Sequence, residues 1–206
     1  MSRAKLVPEF VYLASQSPRR SQLLSQLGVR HELLLADAQE DAEALEAVLP
    51  GEAPLTYVRR VTALKLDAAV LRLRRRALPQ APVLCADTTV ALGRCIYGKP
   101  ADARDARRML RALSGHEHRV LTAVAVQHGR RRAVLVNESR VRFAPVSARA
   151  IEAYIDTGEP LGKAGAYAVQ GRAAAYISHI SGSYSGIMGL PMFETAQMLR
   201  SFGLKF

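Results

Sequence analysis

Side chains suited to phosphate chemistry fall in three separate stretches of the chain. Ser15–Arg20 has the sequence SQSPRR, Ala86–Thr89 has ADTT, and Gly162–Gly171 has GKAGAYAVQG. Adjacent arginines can bind phosphate through bidentate hydrogen bonds, and an aspartate can hold a metal ion or accept a proton. Dense glycines let the backbone approach a ligand closely. If the three stretches meet, the sequence indicates a loop-built site for an anionic ligand.

The first stretch lies at the start of a predicted helix. Phe10–Ala14 is a short apolar run typical of a buried strand, Ser17 suits the N-cap, and Pro18 suits the first helical position. Arg19 and Arg20 then fall in the first turn, where unpaired backbone N–H groups and the helix dipole favour an anion. A capped surface helix with basic residues is the alternative, and this stretch alone leaves both interpretations open.

Asp87 interrupts a mostly apolar strand. Pro82–Ala86 leads into it, and Val90–Leu92 and Cys95–Tyr97 follow as a predicted hairpin. An ionised carboxylate within a sheet is costly unless it binds a cation or is well hydrogen-bonded. Asp87 is therefore either part of a site or the cap of a turn at a strand end.

Three lysines accompany these stretches. Lys65 belongs to a long amphipathic helix predicted from Pro54 to about Leu78, and it lies on or beside the buried face. Its ammonium group either points into a cleft or reaches solvent along the surface, and periodicity alone favours the second. Lys99 follows the hairpin in the tripeptide GKP, and Lys163 stands among the glycines.

Strands alternate with helices along the chain, and hairpins are mixed in. This order predicts an α/β fold with a mixed sheet, and residues 1–206 contain no repeat or linker that would divide them into separate domains. An acidic, irregular connection runs from Gln39 to Leu49. The remaining predicted strands are Val29–Ala36, Val120–Val126, Ala133–Val136 and Ala175–Ile180, and the remaining helices are Asp102–Leu113, Ser147–Ile155 and Pro191–Leu199.

Composition narrows the class of protein. Hydrophobic residues make up 49% of the chain, enough for a proper interior, and 29 basic against 18 acidic residues give a net charge of +11. This balance indicates an anionic partner, which nucleic acid, a membrane surface or a phosphorylated small molecule would each provide. No apolar stretch approaches the roughly 20 residues that span a bilayer, and no secretory signal is present. We therefore expect a cytoplasmic protein with no membrane partner.

The cysteines and histidines do not indicate a metal centre. Cys85 and Cys95 flank the predicted hairpin, and free thiols are favoured over a disulfide in a reducing compartment. His116 and His118 flank Glu117, but no further ligand follows at the spacing of a metal site.

Several motifs together resemble the Maf family of nucleotide pyrophosphatases, and they occur in order over nearly the whole chain. The AYAVQG segment is most similar to the branch that acts on dTTP and UTP, rather than the branch that prefers 7-methyl-GTP. The resemblance implies a mixed twisted sheet flanked by helices, with two lobes around a central cleft, as in Maf and inosine triphosphatase-like folds. The motifs are LASQSPRR at Leu13–Arg20, ADT at Ala86–Thr88, GKP at Gly98–Pro100, LSG at Leu113–Gly115, KAGAYAVQG at Lys163–Gly171, GSY at Gly182–Tyr184 and GLP at Gly189–Pro191.

The resemblance also implies a reaction. A nucleoside triphosphate is hydrolysed to the monophosphate and pyrophosphate with a divalent cation (Mg, Mn or Co), and the protein is a homodimer. The acidic connection is longer than the usual Asp-Glu segment of the family. On the family pattern, Asp87 is the general base or a metal-bound carboxylate, and Glu40 assists at the metal. The phosphates are held by Lys65 and Lys99 together with Ser15 and Arg20, and Lys163 belongs to the substrate site. The residues that distinguish the pyrimidine branch are Arg19, Thr88 and Gln170.

Other functions stay open at this point. A pyrophosphatase of the same family could prefer 7-methyl-GTP or another modified nucleotide, and a cell-division regulator acting by protein contact would need no intact Asp87 or Lys99. A nucleic-acid-binding module would explain the positive charge, but its basic runs would normally carry aromatic stacking residues, which are missing here. We therefore expect a nucleoside triphosphate partner and no nucleic acid.

Overall fold

A computed structural model of the chain describes residues 8–37, 40 and 44–206. The predicted acidic connection from Gln39 to Leu49 therefore lies partly outside these residues, at 39 and 41–43. The strands are β1 (Val11–Leu13), β2 (His31–Leu33), β3 (Val83–Leu92), β4 (Cys95–Tyr97), β5 (Glu117–His128), β6 (Arg131–Phe143) and β7 (Ile177–Ser181). The α-helices are α1 (Pro18–Gln26), α2 (Pro54–Arg75), α3 (Ala103–Leu113), α4 (Ala148–Ile155), α5 (Tyr184–Met188) and α6 (Met192–Ser201).

The strands form one mixed sheet, which confirms the predicted α/β class. Their order is β2-β1-β3-β5-β6-β7, with β4 beside β3. The pairs of β1 with β2 and with β3 are parallel, and the other pairs are antiparallel. The predicted hairpin of β3 and β4 is present, with Val90 opposite Tyr97.

Strand β3 is buried on both faces. Its side chains alternate across the sheet, and helices pack on each side. Val83, Cys85 and Ala91 pack on the side of α2, while Leu84 and Ala86 pack on the side of α1 and α6. Two-sided burial explains the nearly continuous apolar sequence of this strand. The same alternation sends Asp87 and Thr88 to opposite faces.

A cleft opens along one edge of β3. Strand β1 pairs with β3 as far as Leu84, and β4 pairs with it from Val90 onward, both on the side away from β5. Between these two points no strand within the described part of the chain covers that edge. On the α1 face, one apolar cluster joins α1 and α6 to the sheet and a second joins α3 and α4. These clusters are the cores of the two lobes, and side chains from both sheet faces reach the gap between them.

Some strands and helices begin or end at residues other than those predicted, because charged residues within a strand interrupt its apolar pattern. Strands β5 and β6 are longer than predicted because charged side chains occupy their exposed positions, where Glu117 pairs with Arg142 and Arg119 pairs with Glu138. Strand β2 is shorter than predicted, and short α5 was not predicted. Ser17 holds the N-cap position of α1, but its side chain makes no capping bond.

The cysteines confirm the prediction of free thiols. Cys85 is buried and Cys95 is exposed, and neither forms a disulfide. Burial raises the pKa of the Cys85 thiol to about 12, which makes it a poor nucleophile. Within the described residues, no helix combines the length and apolar character that crossing a membrane requires.

His118 gives the fold a pH dependence. Its Nε2 atom lies 2.9 Å from the hydroxyl of Tyr167, and its ring contacts Phe143 edge to face. Burial lowers the pKa of His118 to about 4, against about 6.5 in an unfolded chain. Between these values the unfolded state binds the extra proton, so acidification favours unfolding.

We expect the unfolding free energy of the wild-type protein to fall by up to about 3 kcal/mol as the pH falls from about 6.5 to 4, because His118 takes up a proton on unfolding. Urea titrations across this range measure the loss, with His118→Asn as the comparison because it has no titrating ring. Parallel pH profiles for the two proteins would contradict this origin.

Candidate active site

The cleft brings the three sequence stretches together. It encloses about 680 Å³ and is lined by residues from Ser15–Arg20, by Asp87, Thr88 and their neighbours, and by Lys163 with its neighbours. This volume suits a ligand of the size of a nucleotide. The motifs that are far apart in sequence therefore form one site.

A charged centre lies on the α2 side of the cleft. The ammonium group of Lys65 donates to Asp87 Oδ1 at 2.5 Å and to Glu46 Oε1 at 2.6 Å. Lys99 Nζ donates to Glu46 Oε2 at 3.1 Å. Only 18% of the Lys65 side chain is exposed, so Lys65 points into the cleft, and the surface-lying alternative favoured by periodicity is wrong.

The pKa values at this centre follow from its close charges. Burial alone would raise the pKa of Glu46, but Lys65 and Lys99 outweigh it and hold that pKa below its usual range. Burial would lower the pKa of Lys65, but Asp87 and Glu46 reverse the effect and raise it. Glu46 is thus a carboxylate and Lys65 a cation near neutral pH.

Tyr57 encloses the same centre. Its hydroxyl donates to the backbone oxygen of Glu46 at 2.9 Å. Burial, followed by the charges of Asp87 and Glu46, raises the pKa of Tyr57 to about 12. Tyr57 is therefore a neutral hydrogen-bond donor that fixes the turn carrying Glu46.

Glu40 does not join this centre. Its carboxylate accepts hydrogen bonds from Arg72 Nε at 2.9 Å and Nη2 at 2.5 Å, and from Arg75 at 2.9 Å. The Arg72 hydrogen bonds are the main cause that lowers the pKa of Glu40 to about 2. Glu40, predicted to assist Asp87 at the metal, is thus bound by two arginines, and Glu46 is the glutamate that shares Lys65 with Asp87. A short 3-10 turn at Ala44–Glu46 positions Glu46 beside Lys65.

Arg20 forms the other wall of the cleft. Its guanidinium donates to the Gly189 carbonyl at 2.9 Å, to Ser15 Oγ at 3.0 Å and to Thr88 Oγ1 at 3.3 Å. Burial lowers the pKa of Arg20, and Asp87 opposes that effect. Of the two adjacent arginines, Arg20 is the one that contacts Thr88.

Arg19 also lines the cleft, but unlike Arg20 it leaves a buried donor without a partner in the described part of the chain. Its Nε atom is buried and has no hydrogen-bond partner among the described residues. Burial lowers the pKa of Arg19. A buried donor without a partner is costly, and a phosphate oxygen bound nearby would satisfy it. Substrate binding by Arg19 stays a prediction.

The glycine-rich stretch works mainly by close packing. Gly165 has φ of +68°, its amide donates to the Gly98 carbonyl at 3.0 Å, and a Cβ atom there would lie 2.9 Å from Val90. Only glycine therefore fits. The stretch places Lys163 at the cleft, whereas Gln170 is exposed and lies outside the residues that line it. A contact between Gln170 and a base stays a prediction.

The described residues contain no group of three or more His, Cys, Asp or Glu side chains arranged to hold a metal ion. Asp87 and Glu46 are the carboxylates at the charged centre, and both share the ammonium group of Lys65.

Comparison with known proteins places this geometry in a family. The Maf-like protein family matches residues 10–202. The chain belongs to the Maf family. A protein of Albidiferax ferrireducens named dTTP/UTP pyrophosphatase is 74% identical over 197 residues, covering 96% of this chain and 98% of that protein. Proteins with the same name from a Polaromonas species and from Cupriavidus metallidurans are 68% and 64% identical, with coverage of 96% and 95% of this chain and 98% of each relative.

The family and its fold, both predicted from the sequence, are confirmed. Within the Maf fold of this chain, the sheet edge, the turn that carries Glu46 and the first turn of α1 surround one cleft. Glu46 is not predicted as a site residue because several acids share an irregular segment. The contact of Arg20 with Thr88 is not predicted either, although both residues lie in the motifs SQSPRR and ADTT.

Proposed function

We propose that this Maf-family protein hydrolyses dTTP and UTP to the nucleoside monophosphate and pyrophosphate within the cleft. The observation that carries the proposal is the charged centre, where Asp87 and Glu46 share Lys65 at the wall of a nucleotide-sized cavity. The high identity over nearly the full chain to proteins named dTTP/UTP pyrophosphatase supports the choice of substrate.

The two walls of the cleft suit the two ends of a nucleotide. Lys65, Lys99 and Arg19 offer cations to the triphosphate, whose charge must be neutralised before an anionic phosphorus can react. Apolar side chains on the α1 face offer a surface for a planar base. The residues of this apolar half are Val90, Val120, Tyr167, Val169 and Ile187.

Asp87 is the proposed general base. Its Oδ1 atom is bound by Lys65, which fixes the orientation of the carboxylate and leaves Oδ2 for a water molecule. That water would attack one phosphorus of the α–β linkage, forming a new P–O bond while the bond from that phosphorus to the bridging oxygen breaks. The proton of the water passes to Asp87, and the bridging oxygen leaves on the other product. A positioned base of this kind accelerates a reaction by about 10²–10⁴-fold.

Asp87 and Glu46 also fit the donor set for a divalent cation. Magnesium is usually held by one or two carboxylates together with substrate phosphates, and two carboxylates face the cleft here. When bound, the cation would neutralise phosphate charge. We therefore propose Asp87 and Glu46, rather than the predicted Asp87 and Glu40, as the residues that would hold it.

A triphosphate panel tests the proposed function. With magnesium or manganese present, we expect pyrophosphate release from dTTP and UTP at least about tenfold faster, in kcat/KM, than from dATP and GTP, because discrimination of this size needs little more than one or two well-placed contacts. Equal rates on all triphosphates, or a preference for 7-methyl-GTP, would contradict the substrate. No turnover of any triphosphate would favour a regulator acting by contact.

Three further predictions stay proposals. We infer a single domain over residues 1–206 and a homodimer. We also infer a cytoplasmic location, because nucleoside triphosphates are found there.

A further inference from the structure

Thr122 lies behind the cleft in a closed ring of hydrogen bonds. It is buried on β5 opposite Thr88, and its hydroxyl donates to the Gly186 carbonyl at 2.7 Å. The Thr88 and Thr122 hydroxyl oxygens are 2.9 Å apart. Arg20 bridges Thr88 to the Gly189 carbonyl, and the Gly189 amide donates to the Gly186 carbonyl at 3.0 Å, which closes the ring.

The ring determines the direction of each hydrogen bond. A carbonyl can only accept, so the single hydrogen of the Thr122 hydroxyl is used on Gly186. Thr88 must therefore donate its own hydrogen to Thr122. Arg20 can only donate, so Thr88 accepts from it.

The consequence concerns what Thr88 can offer a ligand. A threonine hydroxyl has one hydrogen and two lone pairs, and the ring uses the hydrogen and one lone pair. Thr88 is also partly exposed while its neighbours Asp87 and Thr89 on β3 are buried, and it lines the cleft. Toward the cleft it is therefore only a hydrogen-bond acceptor.

An acceptor at this place has a chemical preference. Thr88 shares its sheet face with Val90 and Val120, which belong to the apolar half of the cleft suited to a base. Uracil and thymine carry a hydrogen on ring nitrogen N3, whereas the N3 of cytosine has none and can only accept. An acceptor-only hydroxyl therefore favours uracil and thymine. With cytosine, the lone pair of Thr88 would face the lone pair of N3.

We propose that Thr122 is a positioning residue for base selection, because it holds Thr88 as an acceptor toward a pyrimidine N3–H. This inference rests on the proposed function and deepens it. Thr122 itself touches no substrate. It acts by fixing the hydroxyl hydrogen of Thr88 and the backbone of the segment that contains Gly186 and Gly189.

Thr122→Val tests the proposal with little change of shape. It removes the hydroxyl and frees the Thr88 hydrogen to donate toward cytosine N3. We expect the ratio of kcat/KM for UTP over CTP to fall at least about fivefold, the value of one ordinary hydrogen bond. The change should appear mainly in KM, since Thr88 is placed at the base and not at the reacting phosphorus.

Matched variants separate this effect from a loss of packing. Thr122→Ser keeps the hydroxyl and should retain the wild-type ratio within about twofold. Thr62→Val removes a buried hydroxyl that donates to the Val58 carbonyl within α2, away from the ring, and should leave the ratio unchanged. A wild-type ratio near one would overturn the proposal, as would an unchanged ratio in Thr122→Val or an equal loss in Thr122→Ser.

A second measurement distinguishes failure of this inference from failure of the proposed function. Absence of pyrophosphate release from UTP and dTTP by the wild-type protein would refute the function. The ring is then tested by NMR on threonine-labelled protein, where we expect slowly exchanging hydroxyl protons at Thr88 and Thr122 and loss of the Thr88 signal in Thr122→Val. A Thr88 hydroxyl proton that stays protected in that variant would overturn the inference.

Discussion

Asp87→Asn is expected to lower kcat for pyrophosphate release from UTP at least about a hundredfold while the protein stays folded. The amide has the shape of the carboxylate, but it cannot take a proton from water and is a weaker ligand for a divalent cation. Lys65 keeps its second carboxylate partner in Glu46, so the variant does not leave that cation unpaired. Steady-state kinetics and urea unfolding on the same preparation provide the two readouts.

A surface aspartate provides the control for this change. Asp67 is 58% exposed and pairs with Arg132 outside the cleft, so Asp67→Asn should leave kcat within about twofold, since exposed pairs contribute little. A folded Asp87→Asn protein that retains more than about a tenth of wild-type kcat would refute the role of Asp87 as base.

Glu46→Gln is expected to lower kcat with little effect on stability, whereas Glu40→Gln is expected to lower stability with little effect on kcat. Glu46→Gln should lower kcat by about a hundredfold, because it removes a charge from the centre that contains Asp87, and it should change the unfolding free energy little. Glu40→Gln should leave kcat within about threefold. It should lower the unfolding free energy by about 3 kcal/mol, because Arg72 is 6% exposed and loses its anionic partner.

The acid range separates the two glutamates further. The pKa of Glu40 is about 2 in the folded protein and near its usual value of about 4.3 when unfolded. Its stabilising effect is therefore fully present above about pH 4.3 and is lost as the pH falls toward 2. Glu40→Gln should remove this part of the acid sensitivity. Loss of activity in Glu40→Gln with unchanged stability would contradict the assignment and restore Glu40 to the site.

The sequence predicted the elements that local patterns define. Pro18 at the start of α1, the turn between β3 and β4, and Ser147 as the cap of α4 depend on neighbouring residues, and the structure has all three. Asp87 could be identified as unusual because a carboxylate within an apolar strand carries an energetic cost. These features depend on residues that are neighbours in the chain, so they can be predicted from the sequence.

Partners that are distant in sequence could not be predicted in the same way. Glu40 and Glu46 lie in one acidic connection, and which of them meets Lys65 depends on the path of the chain and not on residue type. Likewise, either of two adjacent arginines could reach Thr88, and helix α1 turns Arg20 toward it. Thr122 carries no signal in sequence, because a threonine in a buried strand is ordinary until its hydrogen bonds are seen.

The most direct test of the account follows the products of UTP by ³¹P NMR with wild-type protein and magnesium. We predict that UMP and pyrophosphate appear in equal amounts from the first turnover, with no UDP. Formation of UDP and orthophosphate, or no turnover of UTP by folded protein, would contradict the account.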